Sequence, residues 1–357
     1  MKHLNGISRT PAALTIAGFV IILAGVIYAE SVINPLLMAL FISIIFTQPI
    51  VWLKKNNVPQ GVALAIMISV LIFFYFGLFE LIVSSVNLFL EDAPKYEQHF
   101  KDLSDSAHQY LTGRGISLGI LQGSHAAHPA SIMQNTGVIF AKFKDFLSGE
   151  VTFIFLVVFL LAEIEAIFFK TKLIESNSPI SLSVLEKIST SIRRYLSIKA
   201  LTSLFTGILV GVSLKIIGVD YPLLWGLIAF FLNFIPTIGS IIAALPAILI
   251  SIVQLGFPAT YWTIGTYVFV NIAIGSILEP RIMGKGLGLS ITVVFLSLIS
   301  WGLILGPVGM FLSVPITMLI KIILENFPRT KWIAALLGTK EDAMAELDEH
   351  ETLLKTS

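Results

Sequence analysis

Apolar runs of about 20 residues recur along this chain, and that is the length a helix needs to cross roughly 30 Å of hydrocarbon. They run from Ala12 to Ala29, Pro35 to Leu53, Gly61 to about Leu90, Val151 to Phe169 and Ala200 to Ile217. Lipid offers no hydrogen bonds to free backbone groups, so spans of this kind are helices whose N–H and C=O groups pair internally. With 56% hydrophobic and only 13% charged residues, the chain carries more apolar side chain than one soluble core can bury. The expected fold is all-α: a polytopic integral membrane protein of about eight membrane segments.

The first run follows Lys2 and Arg9 and has the look of a signal peptide, with a small-x-small site at Ala29-Glu30-Ser31. It is longer than a signal core of about 7–15 residues and another span follows at once, so it is read as an uncleaved first span. From Glu91 to Gly149 the chain turns polar and holds four of the six histidines. Tyr96, Phe100, Leu103, Ala107 and Tyr110, and then Ile132, Thr136, Ile139, Phe143 and Phe146, recur at three or four residues and predict two amphipathic helices. Ser183 to Lys199 predicts a short amphipathic helix on the inner membrane surface, followed by a separate span. Gly207 and Gly211 in that span have the small-xxx-small spacing that lets helices approach closely, which together with the amphipathic outer helices suggests a homo-oligomer.

Lys and Arg concentrate on the cytoplasmic side of membrane proteins. With the N-terminus inside, the inner segments hold 17 of the 23 Lys and Arg residues, which predicts both termini inside and residues 91–149 outside. The organisation expected is a three-span region (1–90), an outer amphipathic segment (91–149), two spans joined by an inner interfacial helix (150–217), a core of broken helices (218–325) and a cytoplasmic tail (326–357).

The stretch from Asp220 to Glu325 is the least ordinary. It is hydrophobic enough for lipid yet contains seven prolines and many glycines. Broken backbone at membrane depth is tolerated only where protein or a wet cavity satisfies it. Paired spans or re-entrant hairpins are therefore expected, one bending near Asn233 to Gly239 and another near Gly302 to Gly306. Pro236, Gly239, Pro246, Pro280, Gly306, Pro307, Gly309 and Pro315 read as hinge and close-packing positions.

The segments GLIAFFLNFIPTIGSIIAALPAIL, NIAIGSILEPRIMGKGLGLSITVVFLSLISWGLILGPVGMFLSVPIT and NPLLMALFISIIFTQPIVWLKKNNVPQGVALAI together resemble the autoinducer-2 exporter family of bacterial permeases. The most specific matches are Leu278-Glu279-Pro280-Arg281 through Gly288 and the turn Gly306-Pro307-Val308-Gly309-Met310. The resemblance implies a multi-span carrier of the bacterial inner membrane without ATPase parts. Some members are described as exporters of autoinducer-2, a quorum-sensing molecule, and others as sodium/proton antiporters.

Glu279 and Arg281 flank Pro280 at the end of an apolar span, and ionisable residues at membrane depth are functional candidates because each costs at least about 2.5 kcal/mol near the centre. A residue before proline avoids the helical region, so the helix is expected to open at Glu279 and expose carbonyls beside a carboxylate that binds a cation or a proton. The competing reading pairs Glu279 with Arg281 or Lys285 as an interfacial lock. Asn233 and Asn271 offer amides to a polar solute or to sodium, or join helices. Glu80, Glu163 and Glu165 are candidate proton relays, against the favoured reading that Glu163 and Glu165 sit near the inner interface beside Lys170; Asp220 reads as an outer cap.

Enzyme signals do not survive inspection. Gly115-Ile-Ser117-Leu-Gly119 fits the nucleophile-elbow pattern without a preceding strand, and His99, His108, His125 and His128 lack a metal-ligand spacing. There is no phosphate-binding loop, no cysteine, and a net charge of +1 gives no reason to expect nucleic acid. No cofactor is expected beyond proton or sodium as coupling ion. The expected function is outward secondary transport of a small polar solute, with Glu279 as coupling carboxylate and membrane lipid as its surroundings. The rivals are a sodium/proton antiporter and a membrane scaffold or intramembrane enzyme.

Overall fold

A computed structural model describes residues 9–113, 153–163, 182–236, 238–283, 288–328, 330–340 and 344. Every regular element among them is helical. In chain order these are α1 (Arg9–Tyr28), α2 (Glu30–Lys55), α3 (Gln60–Thr112), α4 (Phe153–Glu163), α5 (Leu182–Ile217), α6 (Pro222–Leu232) and α7 (Ile238–Leu255). They are followed by α8 (Phe257–Val270), a π-helical stretch (Asn271–Leu278), α9 (Glu279–Met283), α10 (Ile291–Glu325) and α11 (Lys331–Leu337). Six helical stretches, Glu30–Lys55, Gln60–Phe89, Glu186–Ile217, Ile238–Leu255, Phe257–Met283 and Ile291–Glu325, are long and apolar enough to cross a membrane. The predicted stripe from Ile132 to Phe146, Glu165, and the patterns at Gly115 to Gly119 and at His125 and His128 lie outside the described residues. The chain forms two compact units, one of Met1–Ile44, Thr152–Ser189 and Gly288–Ser357, the other of Ile45–Val151 and Thr190–Leu287.

Two boundaries expected from the sequence are not breaks. The third span and the first of the two predicted amphipathic helices after it form one helix, α3, that runs on through Pro94 to Thr112. Pro94 forfeits one hydrogen bond, but its neighbours Glu91, Asp92, Lys95 and Glu97 are compatible with helix, so polarity changes while conformation does not. The interfacial helix and the fifth span are likewise one helix, α5, with no Gly or Pro at Lys199-Ala200 to separate them.

In the unit Ile45–Val151 with Thr190–Leu287, α6 and α7 fold into a hairpin at Asn233 to Pro236. Gly239 makes the return possible: a Cβ there would lie 1.8 Å from the Leu232 carbonyl oxygen. The hairpin packs on α5 glycine to glycine, since a Cβ on Gly226 would sit 2.7 Å from the Gly207 oxygen and 3.1 Å from the Gly211 Cα. The small-xxx-small pair is thus used within the chain and gives no support to self-association. The core around it is Trp225, Phe89, Ile82, Val86, Val210 and Leu214.

At one end of this unit the extension of α3 is tied down. Phe89 meets the rings of Tyr96, Tyr221 and Trp225. The Tyr96 hydroxyl donates to Asp220 Oδ2 at 2.6 Å, and the Tyr221 hydroxyl donates to Asp92. Asp220 is therefore an acceptor for Tyr96 rather than a helix cap; Tyr221, in the left-handed region at φ 56°, holds the cap position of α6. The Tyr221 hydroxyl, and after it Lys95, hold the Asp92 carboxyl below its usual range. Burial, and after it Asp220, push the Tyr96 hydroxyl up, so it stays a donor at physiological pH.

In the other unit α10 is a hairpin as well. Gly306, at φ 60° and ψ −146°, turns the chain where an L residue would be strained. Trp301 Nε1 reaches Thr317 Oγ1 at 3.1 Å, a pair that a straight helix would hold about 24 Å apart. A Cβ on Gly309 would lie 1.9 Å from the Trp301 oxygen. Phe41 packs edge-on against Phe311, and Lys187 and Lys321 both pair with Glu325.

Candidate functional site

Lys199 and Glu279 form a buried ion pair. The Lys199 ammonium donates to both carboxylate oxygens of Glu279, at 2.8 and 3.0 Å, with side-chain exposures of 6% and 15%. Lys199 precedes the end of α5 at Ile217 by about 27 Å of helix, a length comparable to the roughly 30 Å of a hydrocarbon layer. Neither partner of Glu279 expected from the sequence is the one observed. Arg281 is exposed, and Lys285 lies outside the described residues.

The backbone beside the pair also differs from expectation. Glu279 is helical, at φ −57° and ψ −51°, so the helix does not open there. Proline clashes with the carbonyl four residues back and brings no N–H. The helix relieves this before the proline by widening: from Asn271 to Leu278 it is π-helical, and the Glu279 N–H bonds to the Ile274 carbonyl, five residues back. Widened turns of this kind are frequent at functional sites. Arg194 Nη2 donates to the Met283 carbonyl at 3.2 Å and closes the far end of the segment.

Beyond Lys199 a polar stripe continues along α5 through Thr202, Ser203 and Thr206, all buried. Asn233, at the turn of the α6–α7 hairpin, donates from Nδ2 to Ser203 Oγ at 3.0 Å, so it joins helices. Thr206 Oγ1 and the Tyr267 hydroxyl are buried without a hydrogen-bond partner among the described residues. Buried polar groups without partners are uncommon, and these two can accept or donate to a polar guest. Asn271 opens the π-helical stretch but is exposed, its Oδ1 lying over Gly275.

The remaining sequence candidates are dispersed. Glu80 is exposed on α3 and Glu163 exposed at the end of α4. Pro236 sits in the α6–α7 turn, Pro246 inside α7, Pro280 in α9, and Pro307 and Pro315 inside α10. Sequence reasoning missed Lys199, Ser203 and Thr206. The signal available in the sequence was the absence of any Gly or Pro at Lys199-Ala200 to end the helix before the span.

Residues 16–329 match the model of the family described as AI-2E family transporter. The chain belongs to this family. Its relatives include a Haemophilus influenzae protein named only for transport, 35% identical over 346 residues, 95% of this chain and 99% of that one. The AI-2 transport protein TqsA of Escherichia coli K12 is 33% identical over 335 residues, 94% of this chain and 96% of TqsA. YhhT of the same strain, again named only for transport, is 31% identical over 325 residues, 91% of this chain and 93% of YhhT. This AI-2E chain is accordingly a multi-pass membrane transport protein and not an enzyme.

Proposed function

We propose that this AI-2E transporter moves a small polar solute of the autoinducer-2 class outward across the bacterial inner membrane, driven by a proton or sodium gradient. The observation that carries the reading is the Lys199–Glu279 pair on the π-helical break. A carboxylate held by an ammonium at low dielectric exchanges its partner only when a proton or cation takes the place of the ammonium, or when the helices separate. Either event loosens the contact between α5 and the π-helical segment, and so couples ion binding to helix movement. The buried, unpartnered hydroxyls of Thr206 and Tyr267 are able to donate to or accept from a polar solute. The name of TqsA supports autoinducer-2 as that solute.

The hairpins and the charge count support one orientation. Positions that the count assigns to the outside meet each other, Tyr96 with Asp220. Ends assigned to the inside do so too, Lys199 with Glu279 and Lys187 with Glu325. Both termini are then cytoplasmic, the two hairpins are discontinuous elements of the alternating-access kind, and quorum sensing is the process served. Self-association in the membrane belongs to the same proposal.

The test is efflux of autoinducer-2 from proteoliposomes under an imposed proton or sodium gradient. Solute movement that follows one gradient and stops with its collapse is expected; movement indifferent to both gradients contradicts the coupling. A second reading, sodium/proton antiport, is favoured by the ammonium on Glu279 standing where a sodium ion would stand. It predicts proton movement on adding sodium or lithium to vesicles that contain no organic solute.

A further inference from the structure

At the end of α5 opposite Lys199, four aromatic rings and two carboxylates close the unit Ile45–Val151 with Thr190–Leu287. Phe89 and Trp225 are fully buried there; the Phe89 ring stacks on Tyr96 and meets Tyr221 and Trp225 edge-on. Two hydroxyl–carboxylate bonds cross between the same two segments in opposite senses. Tyr96 of α3 donates to Asp220 Oδ2 at 2.6 Å, and Tyr221, next to Asp220, donates back to Asp92 of α3. The 218–221 connection is itself fixed to the hairpin behind it. Gln254, near the end of α7, accepts from the Asp220 N–H at 2.9 Å and donates to the Gly218 carbonyl at 3.1 Å, and Trp225 Nε1 donates to the Asp220 carbonyl at 2.8 Å. The α3 side is the one built to give. Pro94 lies between Asp92 and Tyr96, where it removes one backbone hydrogen bond and makes the helix easiest to bend.

We propose that the bonds Tyr96–Asp220 and Tyr221–Asp92 are the outer gate of this transporter, closing the interior over Phe89 and Trp225 and parting when α3 bends at Pro94. The inference rests on the proposed transport and orientation, in which Lys199–Glu279 stands at the inner end of α5 and this cluster at the outer end. A carrier opens its interior to one side at a time, so it needs a closure at each end. Hydroxyl–carboxylate bonds suit the outer one. They fix the closed position by their direction, and water hydrates both hydroxyls and both carboxylates once they part, so opening strands no polar group. Asp92 is already 37% exposed. Because the two bonds run in opposite senses, losing one leaves the other in place, and release requires both hydroxyls to let go. Between the two ends lies Thr206, buried on α5 at about 16 Å of helix from Ile217 and about 10 Å from Lys199. Tyr96 and Tyr221 are thus gating residues and not ligands of the solute.

The test is thiol modification of Thr206→Cys, a single reporter in a chain with no cysteine of its own, by a charged, membrane-impermeant methanethiosulfonate. Right-side-out membrane vesicles offer the reagent the outer face and inverted vesicles the inner face. Adding Tyr96→Phe and Tyr221→Phe to the reporter removes both donors and keeps all four rings. The modification rate from the outer face is expected to rise by at least about tenfold, with the rate from the inner face unchanged. Adding Tyr261→Phe instead, which removes an exposed hydroxyl on α8, should leave the outer rate of the reporter as it was. An outer rate no faster without the two hydroxyls than with them overturns the gate. So does a rise from the inner face, alone or together with the outer, since general loosening of the fold gives the latter. The readout needs neither solute nor gradient: a selective outer rise in a protein that moves no autoinducer-2 under either gradient leaves the gate standing and contradicts the proposed solute.

Discussion

Lys199→Met is expected to destabilise the protein by about 3 kcal/mol, near the low end of the range for breaking a buried ion pair, because it strands the Glu279 carboxylate. The pair is bidentate and only 6% and 15% exposed, so water does little to shield the orphaned charge. Removing both charges is a smaller change than removing one. Lys199→Met combined with Glu279→Leu should recover most of the loss while abolishing gradient-driven transport, since a packed apolar pair replaces the ionic one without its switch. Unfolding free energies of the wild type and the two variants in detergent or bilayers give the comparison. A single variant as stable as the wild type would mean that the pair is solvated.

The second large effect is at the hairpin tips. Gly309→Ala and Gly239→Ala each drive a methyl to within 2 Å of a backbone oxygen, that of Trp301 at 1.9 Å and of Leu232 at 1.8 Å. Backbone cannot step aside as a flexible side chain can, so each hairpin must open. The loss should exceed the about 1–3 kcal/mol usual for overpacking. Gly306→Ala adds strain of about 1–3 kcal/mol, because its backbone lies where only glycine is at ease. Gly265→Ala is the contrast: a Cβ there meets nothing within 4 Å, and helix propensity favours alanine by about 1 kcal/mol. Thermal midpoints and yields in the membrane fraction should separate Gly265→Ala from the other three; equal behaviour of all four would remove the tight turns from the account.

The legibility of the fold followed the strength of each local signal. Apolar run length marked the spans, because lipid imposes it directly. Gly and Pro at membrane depth marked both turns, because their backbone consequences are local: the α6–α7 hairpin bends at Asn233 to Pro236 and α10 at Gly306. Composition misled where polarity and conformation part company. At Glu91 and at Lys199 the residues change character while the helix continues, past Pro94 in the first case and with no Gly or Pro at the junction in the second.

The site was legible by half. Glu279 stood out as an ionisable residue beside a proline in an apolar run. Its partner did not, because the two are 80 positions apart and pairing at that separation is decided by packing. Local charges such as Arg281 and Lys285 were nearer in sequence and therefore drew the assignment. The π-helical stretch was hidden for a different reason: Pro280 announces a disturbance, but whether a helix opens or widens depends on the neighbours that hold it, here Arg194 on the Met283 carbonyl and Lys199 on Glu279.

The measurement that bears most directly on the central claim compares two modes of autoinducer-2 movement in proteoliposomes carrying the wild type or Glu279→Gln. Counterflow without a gradient reports the solute path alone, and accumulation under a gradient reports coupling. Glutamine keeps the size and one acceptor of glutamate but carries no charge and takes up no proton. The account predicts that Glu279→Gln retains counterflow and loses accumulation by at least about tenfold, a change of about 1.4 kcal/mol or more in the coupled step. Accumulation at the wild-type level in Glu279→Gln would contradict it.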